Sequence, residues 1–205
     1  MGTKRGSTTA PVSGSAPRGS PYNGGVTDRR PAIAEPSFAA CVEALHAQQV
    51  RFTLIGAWGA NFHTVDTSVL FATPDHDLFL PPDPENLVQA WQVAAALGLS
   101  LWGAEDPLDA SPDIDLARAV VERCRLTRAT TSAMTINLRL VMTAFAFEPV
   151  WEERRMFLMG GVEIPVARLS HIIRSKAATN REKDRFFLTT HAEILRQMLD
   201  GDEDS

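Results

Sequence analysis

From residue 37 onward the apolar residues recur with two different spacings, and each spacing predicts one kind of element. Apolar residues three and four positions apart predict helices, as in the segment that Ser37 is suited to cap. Alternation predicts strands, as at residues 134–140, where apolar side chains take one face and Thr135, Asn137 and Arg139 take the other. Both periods therefore occur in one chain, which indicates a mixed fold.

The full pattern predicts helices and short strands in alternation. The clearest helix is residues 81–98, where Asp83 is suited to cap the start, Pro84 to take the first position and Gly98 to follow the end. The predicted helices cover residues 37–49, 57–63, 81–98, 113–126, 148–157, 168–178 and 183–199. The predicted strands cover residues 50–56, 76–80, 99–102 and 133–141, with a hairpin turn and strand at residues 159–166. This order predicts an α+β (α/β) fold: a small mixed β-sheet flanked by helices, with a C-terminal helical pair.

Composition separates the globular part from its two ends. Residues 1–36 are rich in Gly, Ser, Thr, Pro and Arg and carry a net charge of +3, so we expect a disordered basic tail. We expect one domain at residues 37–200 and an acidic tail at residues 201–205. The whole chain of 205 residues has a net charge of −5, which argues against a globally basic nucleic-acid coat.

Cysteines and hydropathy favour a protein without structural disulfides or membrane spans. Cys41 and Cys124 lie far apart in apolar-periodic segments, which favours free buried thiols. No segment approaches the run of about 20 apolar residues that a spanning helix needs. The N-terminus lacks the apolar stretch of a secretory signal, so the expectation is a soluble cytoplasmic protein with no membrane partner.

Two Asp-x-Asp pairs are the first candidates for chemistry. Asp75 and Asp77 lie two apart at the start of a predicted strand, so both carboxylates should project from one face, where a cation such as Mg²⁺ would relieve their repulsion. Asp113 and Asp115 instead precede a predicted helix after Pro112, where carboxylates cap free N–H groups. We therefore interpret the first pair as a candidate metal site and the second as structural.

Two further segments strengthen the first pair. Upstream, the stretch IGAWGANFH at residues 55–63 predicts a strand, a glycine turn and a helix start, where backbone N–H groups can meet phosphate oxygens. Downstream, the stretch KAATNREKD brings together Lys176, Arg181, Lys183 and Asp184. A phosphate turn, a carboxylate pair and a basic cluster are the parts that a nucleotide–Mg²⁺ site requires.

In their order these motifs resemble those of a known family. IGAWGANFH, then TPDHDL, then KAATNREKD, with GVEIPVARLSHIIRSK leading into the last, make the chain similar to minimal nucleotidyltransferases of the DNA polymerase β-like superfamily, nearest the AbiEii-type toxins. The resemblance spans roughly residues 38–200 and rests on the order and number of short motifs. It implies a nucleotidyltransferase-like domain that transfers a nucleotidyl group from an NTP to a hydroxyl of an RNA, a protein or a small molecule.

The resemblance also implies roles for particular residues. Asp75 and Asp77 would hold Mg²⁺ as catalytic residues, and Asn137 falls at the place of the family's third catalytic carboxylate. Binding of the nucleotide or acceptor would fall to Gly56, Ala57, Trp58, His63, Lys176, Arg181 and Lys183. For Trp58 and His63 packing is an open alternative, and for the three basic residues a solvated helix face. The implied partners are an NTP, an RNA or protein acceptor, and an antitoxin.

Three positions depart from the family's pattern. Ala57 stands where a second glycine or a serine is usual, Phe71 stands where an arginine often precedes the threonine, and Asn137 replaces a carboxylate. An amide cannot accept a proton as a general base. Glu148, Asp115 or His63 could take that place. These departures keep open the alternative of a non-catalytic NTP-binding or regulatory module, and a purely structural protein is a third alternative.

Overall fold

The structure is a computed structural model that describes residues 36–64, 70–103, 106–108 and 113–203. The expected tails therefore lie outside the described residues, apart from Pro36 and the helical backbone of residues 201–203. The elements run in the order α1 (Phe38–Ala47), β1 (Thr53–Ile55), α2 (Gly56–Asn61), β2 (Asp75–Phe79), α3 (Pro84–Ala96), β3 (Ser100–Trp102), α4 (Ile114–Glu122), β4 (Thr127–Thr130), β5 (Thr135–Arg139), α5 (Phe147–Glu152), β6 (Arg155–Met159), β7 (Val162–Val166), α6 (Leu169–Thr179), α7 (Glu182–Thr190) and α8 (Ala192–Glu203). The expected mixed α/β fold is confirmed.

One mixed sheet of seven strands organises the described part of the chain, in the order β3-β4-β5-β2-β1-β7-β6. The central strand β2 runs parallel to β5 and antiparallel to β1, and β1 runs parallel to β7. This arrangement places β2 between β1, the strand that precedes it in the chain, and β5, in which Asn137 lies 60 residues beyond Asp77. A side chain on β2 can therefore contact residues that are distant in sequence.

Each face of the sheet carries its own hydrophobic cluster. Leu54, Leu78 and Val166 belong to one cluster, which α1, α3 and α4 cover, and we call this side the α3 face. Their immediate chain neighbours Ile55 and Phe79 belong to the other cluster, with residues of α5, α6 and α8, and we call this side the α6 face. Because successive strand residues point to opposite faces, the period-2 pattern alone sets this division.

Helix ends agree well with the sequence signals. Ser37 accepts a hydrogen bond from the Ala40 N–H at 3.2 Å, and Asp83 accepts one from the Glu85 N–H at 2.9 Å. Gly98, which follows the C-terminal cap of α3, has a φ of +79°, a conformation that glycine adopts without steric cost. These local predictions are confirmed because caps depend on a few adjacent residues.

Three predictions about elements were wrong. Strand β4 escaped detection because its inward residues include Thr127 and Ala129, which give no apolar alternation, although both are buried. The predicted helix at residues 148–157 ends at Glu152, and Arg155 already begins β6. The last predicted helix is two helices that break at His191, so the C-terminal pair is a set of three.

The prediction of two buried thiols was correct for Cys41 and wrong for Cys124. Cys41 is buried in the α3-face cluster, and burial raises the pKa of its thiol to about 11. Cys124 follows the end of α4 with a φ of +47° and is exposed, because this left-handed turn directs the side chain away from the core. Neither cysteine forms a disulfide.

No helix among the described residues combines the length and the apolar character that crossing a bilayer requires.

Candidate active site

An open cavity of about 380 Å³ lies on the α6 face. Strand β2, the start of α2, the end of β5 and the helices α6 and α7 contribute its walls. Its charged lining residues are Asp75, Asp77, Arg139, Lys176, Arg181, Lys183 and Asp184. Four basic side chains thus face three carboxylates in this part of the structure, a balance suited to a polyanionic ligand.

The carboxylates of Asp75 and Asp77 share the cavity because β2 is a strand. Residues two apart point to one face, and both side chains line the cavity. His76, between them, points to the α3 face, where its ring stacks on Phe38 at 4.1 Å between centroids. Burial lowers the pKa of His76. Its hydrogen bond to the Thr135 backbone and the charges of Asp75 and Asp77 act in the opposite direction but do not outweigh burial. The predicted division of this strand into a carboxylate face and a packing face is therefore present.

Asp77 is held by two donors from β5, and sequence analysis identified neither contact. The parallel pairing sets Asp77 opposite Asn137, whose Nδ2 donates to Asp77 Oδ1 at 2.8 Å. Two residues further along the same strand face, Arg139 Nε donates to the same oxygen at 2.6 Å. Asn137, which the sequence analysis placed at the position of a third carboxylate, therefore donates a hydrogen bond to Asp77.

At Gly56 both the backbone conformation and the space available favour glycine over a residue with a side chain. Its φ is +74°, in the left-handed region, and a Cβ there would lie 2.5 Å from Asp77 Oδ2. The turn between β1 and α2 therefore packs directly on the Asp77 carboxylate. Gly56 and Ala57 both line the cavity, in the place that the sequence analysis predicts for a phosphate turn.

The basic cluster is organised around a buried carboxylate. Asp184 is 1% exposed and accepts from Arg181 Nε at 2.7 Å and from Lys176 Nζ at 3.4 Å. Burial raises the pKa of Asp184, but the Arg181 hydrogen bond and the Lys176 charge outweigh burial and leave that pKa below its ordinary value. Burial lowers the pKa of Lys176. The carboxylates of Asp184 and Asp77 act to raise this pKa but do not outweigh burial. Lys183, which is exposed, also lines the cavity.

The structure places Trp58 and His63 outside the cavity lining. The Trp58 ring packs against His76 at 4.6 Å and against Phe38 and Phe62, on the α3 face. His63 is buried, and its Nε2 hydrogen-bonds the Ala167 carbonyl at 2.9 Å. The geometry therefore favours packing for both residues over contact with a ligand.

The substitutes considered for the third carboxylate lie elsewhere too. Glu148 pairs with Arg51, and Asp115 pairs with Arg118 on α4 at 2.6 Å, outside the cavity lining. The third carboxylate of the cavity is instead Asp184. The sequence placed Asp184 in the basic segment KAATNREKD but did not indicate that its carboxylate would line the cavity.

Phe71, which lies before β2, is held by Asn61 and by the C-terminal helices. Asn61 brackets Phe71: its Oδ1 accepts from the Phe71 N–H at 2.7 Å and its Nδ2 donates to the Phe71 carbonyl at 3.1 Å. The Phe71 ring is buried against Phe187 and His191 of the C-terminal helices. Phe71 therefore joins the chain before the Asp-x-Asp strand to the helices that carry the basic cluster.

The two carboxylates on β2 form a set of oxygen ligands that fits a Mg²⁺ ion. Mg²⁺ takes one or two protein carboxylates and completes its shell with water and substrate phosphates, so Asp75 with Asp77 Oδ2 is a sufficient protein contribution. The described residues contain no group of three or more His, Cys, Asp or Glu side chains arranged to hold a metal. Asp77 Oδ1 already accepts from Asn137 and Arg139.

Solved structures of nucleotidyltransferases or a nucleotidyltransferase-like protein are similar to this chain, at a sequence identity of 12%. No family model matches the sequence, and no curated protein matches it. ANT(2″)-Ia in complex with adenylyl-2″-tobramycin matches with 12% identity over 80% of this chain and 93% of that chain, with a TM-score of 0.44. The solution structure of the antibiotic-resistance factor ANT(2″)-Ia matches with 12% identity over 81% and 91%, with a TM-score of 0.42.

A nucleotidyltransferase-like protein from Paracoccidioides brasiliensis, described as antigenic, also matches with 12% identity, over 78% of this chain and 72% of that chain, with a TM-score of 0.44. With TM-scores below 0.5, these similarities carry no argument about activity.

Proposed function

We propose that the protein is a Mg²⁺-dependent nucleotidyltransferase that binds an NTP in this cavity and transfers NMP to a hydroxyl group. The hydroxyl oxygen bonds to the α-phosphorus, the bond between the α- and β-phosphates breaks, and pyrophosphate leaves. The observation that carries the proposal is the meeting of three distant segments in one cavity: the Gly56 turn, the strand with Asp75 and Asp77, and the basic cluster from Lys176 to Asp184. These are the parts that phosphoryl-type transfer requires, since its catalysis depends on positioning and charge compensation.

Within this proposal each part of the cavity has one task. Asp75 and Asp77 hold Mg²⁺, which when bound neutralises phosphate charge and orients the triphosphate. Lys176, Arg181 and Lys183 bind phosphate oxygens, and Asp184 keeps Lys176 and Arg181 in place through its two ion pairs. Because Gly56 has no side chain, the backbone of the turn stays accessible from the cavity.

The experiment is a transfer assay with α-labelled NTPs. The full chain is incubated with each of the four NTPs, with Mg²⁺ or EDTA, and with total RNA or cell lysate as the acceptor. The proposal expects Mg²⁺-dependent transfer of label that is lost in Asp75→Asn and Asp77→Asn. If no label is transferred with any NTP and any acceptor, the proposal that the protein is an enzyme is contradicted.

A non-catalytic NTP-binding module is the second candidate, and the contacts of Asp77 favour it. Asn137 cannot take a proton from an acceptor hydroxyl, and its Nδ2 is directed at Asp77. If this candidate is correct, calorimetry should detect binding of NTP with Mg²⁺, and no transfer should occur. Transfer that appears only in Asn137→Asp would identify the natural chain as a binding module, whereas transfer in the wild type would refute this candidate.

The resemblance to AbiEii-type toxins extends the proposal to a biological role. Here the acceptor is an RNA or a protein hydroxyl in the cytoplasm, and an antitoxin is the partner. Controlled expression in a bacterial host should then arrest growth, and Asp77→Asn should relieve the arrest. Equal growth of cells with wild type and variant would contradict the toxin role and leave the transfer reaction to be tested separately.

A further inference from the structure

Asp75 and Asp77 are chemically identical, but their surroundings in the cavity differ. Asp77 Oδ1 accepts from Arg139 Nε at 2.6 Å and from Asn137 Nδ2 at 2.8 Å. Within the described part of the chain, no hydrogen-bond donor and no basic side chain pairs with the Asp75 carboxylate. One carboxylate of the pair is therefore compensated by the protein and the other is not.

The contact between Arg139 and Asp77 is shielded from solvent and fixed by the sheet. The two side chains are 27% and 20% exposed, so water screens this pair less than an ordinary surface pair. The register of β5 against β2 sets Arg139 opposite Phe79, two residues beyond the pair of Asn137 and Asp77, so the guanidinium reaches Asp77 along one strand face. On its other side Asp77 Oδ2 is confined by Gly56.

The amide of Asn137 supports the same charge arrangement. A carboxylate only accepts hydrogen bonds, so the amide nitrogen and not the oxygen must face Asp77. A carboxylate at position 137 would repel Asp77 and attract a cation, whereas the amide donates and keeps Asp77 satisfied. Asn137 and Arg139 therefore act on Asp77 in the same direction.

We propose that the Arg139 guanidinium takes the place of a second divalent cation: it compensates Asp77 with a fixed positive charge, so the cavity holds one divalent cation rather than two. The residues that hold this cation are Asp75 and the Oδ2 side of Asp77. The inference deepens the proposed function, because it states the metal requirement of the same cavity. Arg139 acts here as a positioning and charge-compensating residue.

The rival explanation is that Arg139 and Asp77 form an ion pair whose only role is in folding. Removal of Arg139 would then lower stability and leave the affinity for a divalent cation unchanged. Under our proposal, removal of Arg139 takes away the positive charge that compensates Asp77 and leaves Asp77 Oδ1 with one donor fewer, so the affinity of the two carboxylates for the cation rises. The two explanations thus predict different results for the metal alone, without nucleotide.

The test is a titration of the full chain with Mn²⁺ alone, followed by electron paramagnetic resonance of free Mn²⁺. Arg139→Gln should bind Mn²⁺ at least tenfold more tightly than the wild type, and Asn137→Asp combined with Arg139→Gln should bind a second Mn²⁺. Arg125→Gln, which removes an exposed arginine outside the cavity lining, should match the wild type. Circular dichroism checks the fold of each variant.

Equal Mn²⁺ affinity in the wild type and in folded Arg139→Gln would overturn the proposal, as would two bound Mn²⁺ in the wild type. If Arg139→Gln does not fold, the Mn²⁺ bound per wild-type chain is counted in inorganic tripolyphosphate, after subtraction of the Mn²⁺ bound by tripolyphosphate alone. One Mn²⁺ per chain supports the proposal and two overturn it. Because the main titration contains no NTP, its result is independent of whether the proposed transfer reaction exists.

Discussion

The two Asp-x-Asp pairs have the same spacing, and the structure gives them different surroundings. Asp75 and Asp77 lie on a central strand and line a cavity with four basic side chains. Asp113 is the N-cap of α4, where its Oδ1 accepts from the Asp115 N–H at 2.8 Å, and Asp115 pairs with Arg118 on the exposed side of that helix. Helix α4 covers the α3 face, whereas the cavity lies on the α6 face.

The comparison shows that the element which carries a motif decides its chemistry. On a helix start the carboxylates meet backbone N–H groups and are satisfied locally. On a strand the backbone groups are used by the sheet, so the carboxylates must find partners from distant parts of the chain. For Asp77 those partners are Asn137 and Arg139.

The largest expected effect is on the transfer reaction. Asp75→Asn and Asp77→Asn keep the shape of each side chain but remove the charge that would hold the cation, so we expect the proposed transfer to fall by about 1,000-fold. Asp113→Asn and Asp115→Asn are the matched controls and should retain wild-type activity. The measurement is the initial rate of label transfer from α-labelled NTP. Comparable losses in all four variants would remove the distinction between the pairs.

The next effect is on stability, at the third carboxylate of the cavity. Asp184→Asn leaves the half-buried Lys176 without its closest carboxylate, and breaking such a pair costs about 3 kcal/mol of unfolding free energy. Urea unfolding followed by circular dichroism measures this loss. Glu193→Gln, which breaks the exposed pair with Arg196 on α8, is the control and should leave the unfolding free energy almost unchanged, because solvent screens this pair. Similar costs for both variants would refute the structural role of Asp184.

The same variant gives a pH test. The pKa of Asp184 is lower in the folded state, so the ionised carboxylate contributes stability that is complete above the unfolded pKa of about 3.9 and is lost as pH falls through the folded pKa. The difference in unfolding free energy between wild type and Asp184→Asn should therefore be constant near neutral pH and shrink below about pH 4. Urea midpoints across this range test the sign. A difference that grows on acidification would contradict it.

Two glycines with the same backbone conformation sharpen the comparison further. Gly56 and Gly98 have φ values of +74° and +79°, so Ala at either position costs about 1–2 kcal/mol of backbone strain. Only at Gly56 would the new Cβ meet Asp77 Oδ2, at 2.5 Å, whereas no atom lies within 4 Å at Gly98. Gly56→Ala should therefore also weaken calorimetric NTP binding, and Gly98→Ala should not. Equal NTP affinities would show that the turn does not shape the site.

The smallest effect concerns the capping pair. Asp113→Ala removes the side-chain acceptor of α4 and should cost about 1 kcal/mol of unfolding free energy, whereas Asp113→Asn should cost almost nothing. Thermal or urea unfolding measures both. A change in NTP binding in either variant would assign the second pair a role in the site.

Much of the fold was predictable because its signals are local. Caps such as Ser37, Asp83 and Asp113 act within three residues, and the alternation around Ile136 follows directly from the pleat of a strand. Strand β4 was missed because its inward positions hold threonine and alanine, which carry little hydrophobic contrast. The break at His191 was missed because the apolar period continues across it, from Phe187 to Leu195.

The candidate site was predictable as a set of segments but not as a set of contacts. Sequence motifs pointed to Asp75, Asp77 and the basic cluster, which meet in the cavity. The hydrogen bonds of Arg139 and Asn137 to Asp77 depend on the register of β5 against β2, and no local pattern specifies that register. Trp58 lies on α2 and His63 just beyond its end, and both side chains take packing positions although they are close in sequence to the turn.

The most direct test of the account is a nuclear magnetic resonance spectrum of the labelled full chain with Mn²⁺ and inorganic tripolyphosphate, which carries the phosphate chain common to all NTPs. Bound Mn²⁺ broadens the amide signals near it. The account predicts that the amide signals of Gly56 and of Asp75 to Asp77 disappear first, while those of Asp113 and Asp115 persist. Equal broadening at both pairs, or broadening at Asp113 and Asp115 alone, would contradict it.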